Sequence, residues 1–148
     1  MADIHIDDFS RDVALILVTL WNAFPRKYTV YVEDISGPDE TDEVGLHSNR
    51  FHACFGAMLW LAEEDYIRYE ALVYREGIDQ AVLTTKTFAT LSAASDIRFD
   101  DPLDPGLPES VVLQKQTLIA QFRAALRSGS SINVNQIVRH FIAQSTTD

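Results

Sequence analysis

Apolar residues recur at intervals of three and four between residues 8 and 24, placing Phe9, Val13, Ile16, Leu17, Leu20, Trp21 and Phe24 on one stripe. That spacing predicts an amphipathic helix, with Asp7 or Asp8 as N-cap and Pro25 as its stop. Tyr28, Val30 and Val32 then alternate with Thr29, Tyr31 and Glu33, the pattern of a strand with one buried face. The segment EDISGPDETDEVG, residues 33 to 45, carries six acids, two glycines and a proline. It reads as a solvated loop with neither helix nor strand through its middle. Ser48 opens a second helix to about Glu64, with Phe51, Phe55, Met58, Leu59 and Ala62 on the inner stripe and Cys54 and Leu61 flanking it.

The period changes after Asp65. Ile67, Tyr69, Ala71 and Val73 alternate with Arg68, Glu70, Leu72 and Tyr74, residues 75 to 79 supply a reversal, and Ala81 to Leu83 return. This predicts a hairpin with the first set facing inward. Thr84 or Thr85 caps a helix through Phe88 and Leu91. Residues 95 to 108, SDIRFDDPLDPGLP, hold three prolines and four aspartates and read as an extended connector. A helix restarts near Glu109 with Val111, Leu118, Ile119, Phe122 and Leu126 inward, ending before Gly129. Asn133 or Ser131 caps a last helix carrying Val134, Ile137, Val138, Phe141 and Ile142. The fold class is therefore α+β: a domain over residues 1–95, an acidic Pro-rich connector over 96–108, and a C-terminal helical extension over 109–148. The extension packs on its own domain or on a second chain. Its two apolar stripes are more than one small core absorbs and favour a homodimer.

Charge sharpens this division. Residues 1 to 109 hold 21 acids against 8 bases, a balance of −13, whereas residues 110 to 148 hold four bases against Asp148, a balance of +3. An acidic surface repels phosphate and weakens nucleic-acid binding, which depends on Lys and Arg displacing counterions. The single cysteine, Cys54, excludes an intrachain disulfide and fits a reducing compartment. The longest apolar run, Val13 to Val18, falls far short of the roughly 20 residues that span a bilayer. The acidic start is unlike a signal peptide, so a cytoplasmic protein that does not enter membranes is expected.

In LAEEDYIRYEALVYREGIDQAVLTTKTFATL, Leu61, Glu63, Glu64, Tyr66 and Ile67 stand where a helix ends and the first wing strand begins in MarR-like and PadR-like regulators. Leu83, Thr84 and Lys86 follow the LTxKG pattern that closes their second wing strand. The chain thus resembles the winged-helix superfamily over residues 9 to 95, which implies a winged-helix-like domain. It departs from the pattern at Asp65 and Thr87, where those regulators carry glycine, and in the 35–46 region, where the acidic loop replaces the helix that presents the reading helix to DNA.

That architecture serves DNA readers and interaction modules alike. If this chain contacts nucleic acid, the resemblance implies Ser48, Asn49, Arg50 and His52 on the second helix and Arg75 at the wing tip. Residues 63 to 82, however, carry six acids against two arginines, a poor clamp for phosphate. Trp60 off its helix stripe, and Leu72 and Tyr74 on the outer wing face, are the candidate anchors for a protein partner, unless the C-terminal helices cover them. No phosphate loop, nucleophile elbow or HExxH sequence is present. His52 and Cys54 lie about 200° apart on a helix, so with His47 they do not read as a zinc site, and the acidic loop lacks the spacing of a calcium loop. No metal, cofactor or catalytic residue is assigned. The sequence reads as a non-enzymatic module acting by protein association, as a homodimer or with an unidentified partner. A DNA-binding transcriptional regulator is the alternative.

Overall fold

The first apolar stripe lies in α1 (Ile4–Ala23), whose Val13, Ile16, Leu17 and Leu20 are fully buried. The structure is a computed structural model and describes residues 4–146. Because α1 begins at Ile4, Asp7 lies inside its first turn, where a carboxylate favours the positive end of the helix dipole. Neither Asp7 nor Asp8 is the N-cap. After Pro25 comes β1 (Tyr28–Tyr31), with Val30 buried and Tyr28 and Tyr31 exposed. The acidic segment opens with a single helical turn, α2 (Val32–Ser36), which buries Val32 and Ile35. Those two apolar residues outweigh the loop composition around them, and the turn ends at Gly37, whose φ is 96°.

The second long helix, α3 (Asn49–Glu63), starts at Ser48 as expected, with the serine hydroxyl accepting from Phe51 N–H. Its buried stripe is Phe51, Cys54, Ala57, Met58 and Leu61. Phe55, Leu59 and Ala62, expected at the centre, are partly exposed, so the inward face is rotated toward Cys54 and Leu61. The helix ends with Tyr66 N–H donating to Leu61 O at 2.8 Å and Asp65 N–H to Ala62 O at 3.1 Å. This is a Schellman closure, and it requires the left-handed residue that Asp65 supplies at φ 66°. Aspartate thus takes the backbone conformation that favours glycine, and the turn keeps its shape.

Four antiparallel strands form the sheet, counting described residues: β1, β2 (Ile67–Arg68), β3 (Ala71–Val73) and β4 (Gly77–Leu83), with β4 in the middle. On one side β4 pairs with β2 and β3, which are one hairpin arm interrupted at Tyr69 and Glu70; on the other it pairs with β1. The reversal occupies only residues 74 to 76, with Arg75 left-handed at φ 61°. Gly77, Ile78 and Asp79, read from the sequence as turn, instead begin β4. Inward alternation also fails in the arm, because Ala71 is exposed and Tyr69 only partly buried. The β1–β4 register slips between Tyr28/Ala81 and Val30/Ile78, a bulge that places Gln80 at φ 54°.

The chain divides into two compact units, Met1–Thr84 and Thr85–Asp148. The helix α4 (Thr85–Ser92) thereby belongs with the C-terminal helices, where it packs against α6 (Leu118–Ser128) and α7 (Ser131–Ser145). One continuous helix was expected from Glu109 to residue 128. The structure has two, α5 (Glu109–Lys115) and α6, because residues 116 to 118 pair with the end of α4: Ser95 N–H donates to Gln116 O at 2.7 Å and Leu118 N–H to Ala93 O at 2.9 Å. Thr117 then caps α6 through its hydroxyl. The connector is pinned by Gln121, which is fully buried; its Oε1 accepts from Phe99 N–H at 2.8 Å and its Nε2 donates to Lys115 O at 3.2 Å.

Gly129 ends α6 in the left-handed region and Ser130, rather than Ser131 or Asn133, caps α7. Leu118, Ile119, Phe122, Val134, Ile137, Val138 and Phe141 are all buried, with the Phe122 and Phe141 rings edge to face at 5.8 Å. A single chain therefore hides most of the stripes from which dimerisation was inferred, Leu126 being partly exposed, while α5 buries nothing and leaves Leu113 exposed. No helix among the described residues is long and apolar enough to cross a membrane.

Gly77 offers the sharpest test of the sheet. A Cβ there would lie 2.1 Å from Val30 O and 2.9 Å from Tyr31 Cα, both backbone atoms of β1. Gly77→Ala should destabilise the fold by about 3 kcal/mol or more, since the strands must separate. Asp65→Gly should instead stabilise it by about 0.5 to 1 kcal/mol, by relieving a left-handed residue and removing a carboxylate from a helix C-terminus. Urea unfolding of both variants checks the pair.

Candidate functional site

Of the residues proposed for nucleic acid, Arg50 is already engaged. Its Nη1 and Nη2 donate to Asp12 Oδ2 and Oδ1 at 2.7 and 2.5 Å, and its Nε lies 3.7 Å from Asp8 Oδ2. Asp12 is fully buried on α1, and the Arg50 side chain is 29% exposed. The fork therefore ties α3 to α1, and the Asp12 hydrogen bonds raise the guanidinium's pKa further. Both partners sit on apolar stripes: Asp12 precedes Ile16 and Leu20 at intervals of four, and Arg50 precedes Cys54 and Met58 likewise. A charge on a buried stripe demands a partner. That signal is present in the sequence, where the resemblance instead marks Arg50 as a candidate nucleic-acid contact.

Ser48 is likewise committed. Its hydroxyl donates to Asp39 Oδ1 at 2.5 Å and its N–H to Asp39 Oδ2 at 3.1 Å, which fastens the acidic loop to the start of α3. These bonds, the hydroxyl's first, hold the Asp39 carboxyl below its ordinary pKa, with a lesser contribution from His47. The His47 ring stacks on Phe51 with centroids 3.7 Å apart and planes 6° apart. Its Nδ1 lies 2.9 Å from Asp39 Oδ2 and its Nε2 3.5 Å from Glu76 Oε1 at the hairpin tip. The bond to Asp39, more than the approach of Glu76, raises the His47 pKa against the opposing effect of burial. Asp39, His47 and Glu76 went unremarked as a group because 37 residues separate the first from the last.

A groove of about 420 Å³ opens beside this network. Leu46, Phe51, Phe55 and Tyr74 provide its apolar lining, and His47, His52, Arg75 and Glu76 its polar one. Residues from both expected sets meet here: His52 and Arg75 of the nucleic-acid set, and Tyr74 of the protein-partner set. Tyr74 is 87% exposed and Leu72 53%. Asn49 is exposed at the start of α3. Trp60 differs, since its ring packs edge to face on Phe9 at 5.3 Å and tilted on Tyr66 at 5.8 Å, within its own unit.

Cys54 is fully buried and burial pushes its thiol up to about 12, the condition of a core side chain rather than a nucleophile or metal ligand. Among the described residues no group of three His, Cys, Asp or Glu side chains is arranged to hold a metal ion. A second cavity, of about 370 Å³, lies in the helical unit between Ala89, Ala93, Leu118 and His140. Its Thr90 and Ser95 hydroxyls are used in local backbone bonds, to Lys86 O at 2.8 Å and from Ile97 N–H at 3.1 Å. Comparison with protein-family models, with curated proteins and with solved structures finds no match to this chain.

Arg50→Ala should destabilise the protein by about 3 kcal/mol, because it strands a buried carboxylate. Arg50→Lys should recover only part of that loss, since an ammonium lacks the two-pronged fit. Replacing both Asp12 and Arg50 by leucine should recover more than lysine does. Chemical denaturation of the three variants measures the order.

Proposed function

We propose that this chain is a winged-helix-like, non-enzymatic cytoplasmic module that acts by binding protein, through its hairpin tip and the adjoining groove. The order helix, strand, short helix, helix, hairpin, with β1 added on the far side of β4, supports the winged-helix reading. The observation that carries the functional reading is a contrast within one surface. Arg50, the strongest base-reading side chain on α3, is spent on Asp12, while Leu72 and Tyr74 stand exposed at the tip. Desolvating a large aromatic such as tyrosine is what gives protein interfaces their anchors. Asp34 on α2 and Glu40 and Glu43 on the loop add exposed carboxylates, which oppose a phosphate backbone. The occupant we favour is a second copy of the chain, forming a homodimer.

Light scattering at high micromolar concentration should give a dimer mass. Leu72→Ser and Tyr74→Ser should each weaken self-association about tenfold or more, near 1.4 kcal/mol, without lowering thermal stability. Mobility-shift titration with random duplex should show binding that disappears by physiological salt. A monomer whose duplex binding survives that salt and is lost in Arg75→Ala would replace this reading with a MarR-like or PadR-like DNA-binding regulator.

A further inference from the structure

Both ring nitrogens of His47 face carboxylate oxygens, Nδ1 toward Asp39 and Nε2 toward Glu76. A carboxylate only accepts hydrogen bonds, and a neutral imidazole has a single N–H, so the arrangement is satisfied only by the doubly protonated ring. We infer that His47 is a proton-dependent clasp, which ties the hairpin tip to the acidic loop and sets the width of the groove between them. The inference deepens the protein-binding reading and rests on it for its biological use.

The two arms of the clasp are unequal. Asp39 is 12% exposed, sits 2.9 Å from Nδ1 and is itself held by two donors from Ser48. Glu76 is 46% exposed and 3.5 Å from Nε2. When the ring loses a proton, the remaining N–H stays with Asp39, and the bare Nε2 lone pair confronts the Glu76 carboxylate. The hairpin tip is then released while the loop stays fastened. Neighbouring groups on every side act on this equilibrium. Asp39 from the loop and Glu76 from the hairpin favour the imidazolium, whereas His52 from α3 and Arg75 from the hairpin, which line the same groove, oppose it when charged. Asp42 on the loop is occupied by the N–H groups of Val44 and Leu46.

The direction with pH follows. The folded-state pKa of His47 lies above the ordinary 6.5, so the clasp is complete below about 6.5 and is lost as pH rises through the raised value. On the acid side, Asp39 has a lowered pKa, so its part persists below the ordinary 3.8 and fails as pH falls through the lowered value. Between these limits a fixed tip presents Tyr74 preorganised; above the raised His47 value a released tip must be ordered on binding.

The test is an NMR titration of the full chain from about pH 5 to about pH 9, the span over which histidines change charge. It follows all four histidine rings and the amides of Tyr74, Arg75 and Glu76. His47 should titrate above 6.5, with the three hairpin amides moving at the same midpoint. In Glu76→Gln the side chain can accept from the imidazolium or donate to the neutral ring. The His47 midpoint should therefore fall and the amides should cease to follow it. A His47 midpoint at or below 6.5, or hairpin amides that ignore it, would overturn the clasp. Sedimentation of the same samples separates the two ideas. Loss of self-association in Tyr74→Ser without the titration coupling sinks the clasp alone; coupling with unchanged association sinks the protein-binding reading and leaves the clasp standing.

Discussion

The fork between Arg50 and Asp12 is the interaction on which both the packing and the surface chemistry of the first unit turn. A carboxylate with no exposure on α1 is tolerable only with a charged, geometrically matched partner, and α3 supplies it from the first turn of its own buried stripe. Once the two helices are fixed in this way, α1 and α3 pack together and bury Ile16, Leu17 and Leu20 on one and Phe51, Met58 and Leu61 on the other. The same bond removes the arginine best placed to read a base edge. The exposed positions left to α3 are Asn49, His52, Ala53, Gly56 and Glu63, with Phe55 partly exposed beside them.

The sheet depends on a different economy. β4 lies between β1 and the hairpin arm, and its first residue must pass within van der Waals contact of the β1 backbone. Only glycine permits that approach. Three non-glycine residues elsewhere in the unit, Asp65, Arg75 and Gln80, adopt left-handed conformations, at a helix end, a hairpin reversal and a bulge. Each marks a place where the tertiary arrangement overrides local preference. The Schellman bonds around Asp65 show how such a conformation is held, since two carbonyls of α3 would otherwise lack donors.

The acidic loop is tied down at both ends of its second half rather than solvated throughout. Asp39 binds the cap of α3, and His47 stacks on Phe51 and reaches Glu76. Carboxylates that look interchangeable in the sequence thus separate into two sets. Glu33, Asp39 and Asp42 accept hydrogen bonds that organise the loop, while Asp34, Glu40 and Glu43 are exposed carboxylates. This division gives the groove a firm wall on the loop side and a weaker hold on the hairpin side, the asymmetry that makes protonation of a single imidazole consequential.

The sequence by itself determined the mixed α and β character, the existence of α1, the extent of α3, the Ser48 cap, the hairpin and the Gly129 stop. Each is set by local physics: a 3.6-residue stripe, an alternating strand, a hydroxyl before a helix, a residue without a Cβ. It also placed Leu72 and Tyr74 on an outward face, where the structure leaves them exposed. What it could not determine depends on groups distant along the chain. The break between α5 and α6 exists because residues 116 to 118 pair with residues 93 to 95, and no periodicity within residues 109 to 128 encodes that partner. Gly77 changed from turn residue to strand residue for the same reason, since its requirement comes from Val30 and Tyr31. Arg50, a nucleic-acid contact only under the alternative reading, ties α3 to Asp12, and His47, set aside as a zinc ligand, bridges Asp39 and Glu76, because the identity of a side chain specifies what it can bond to and only the tertiary structure decides which partner arrives.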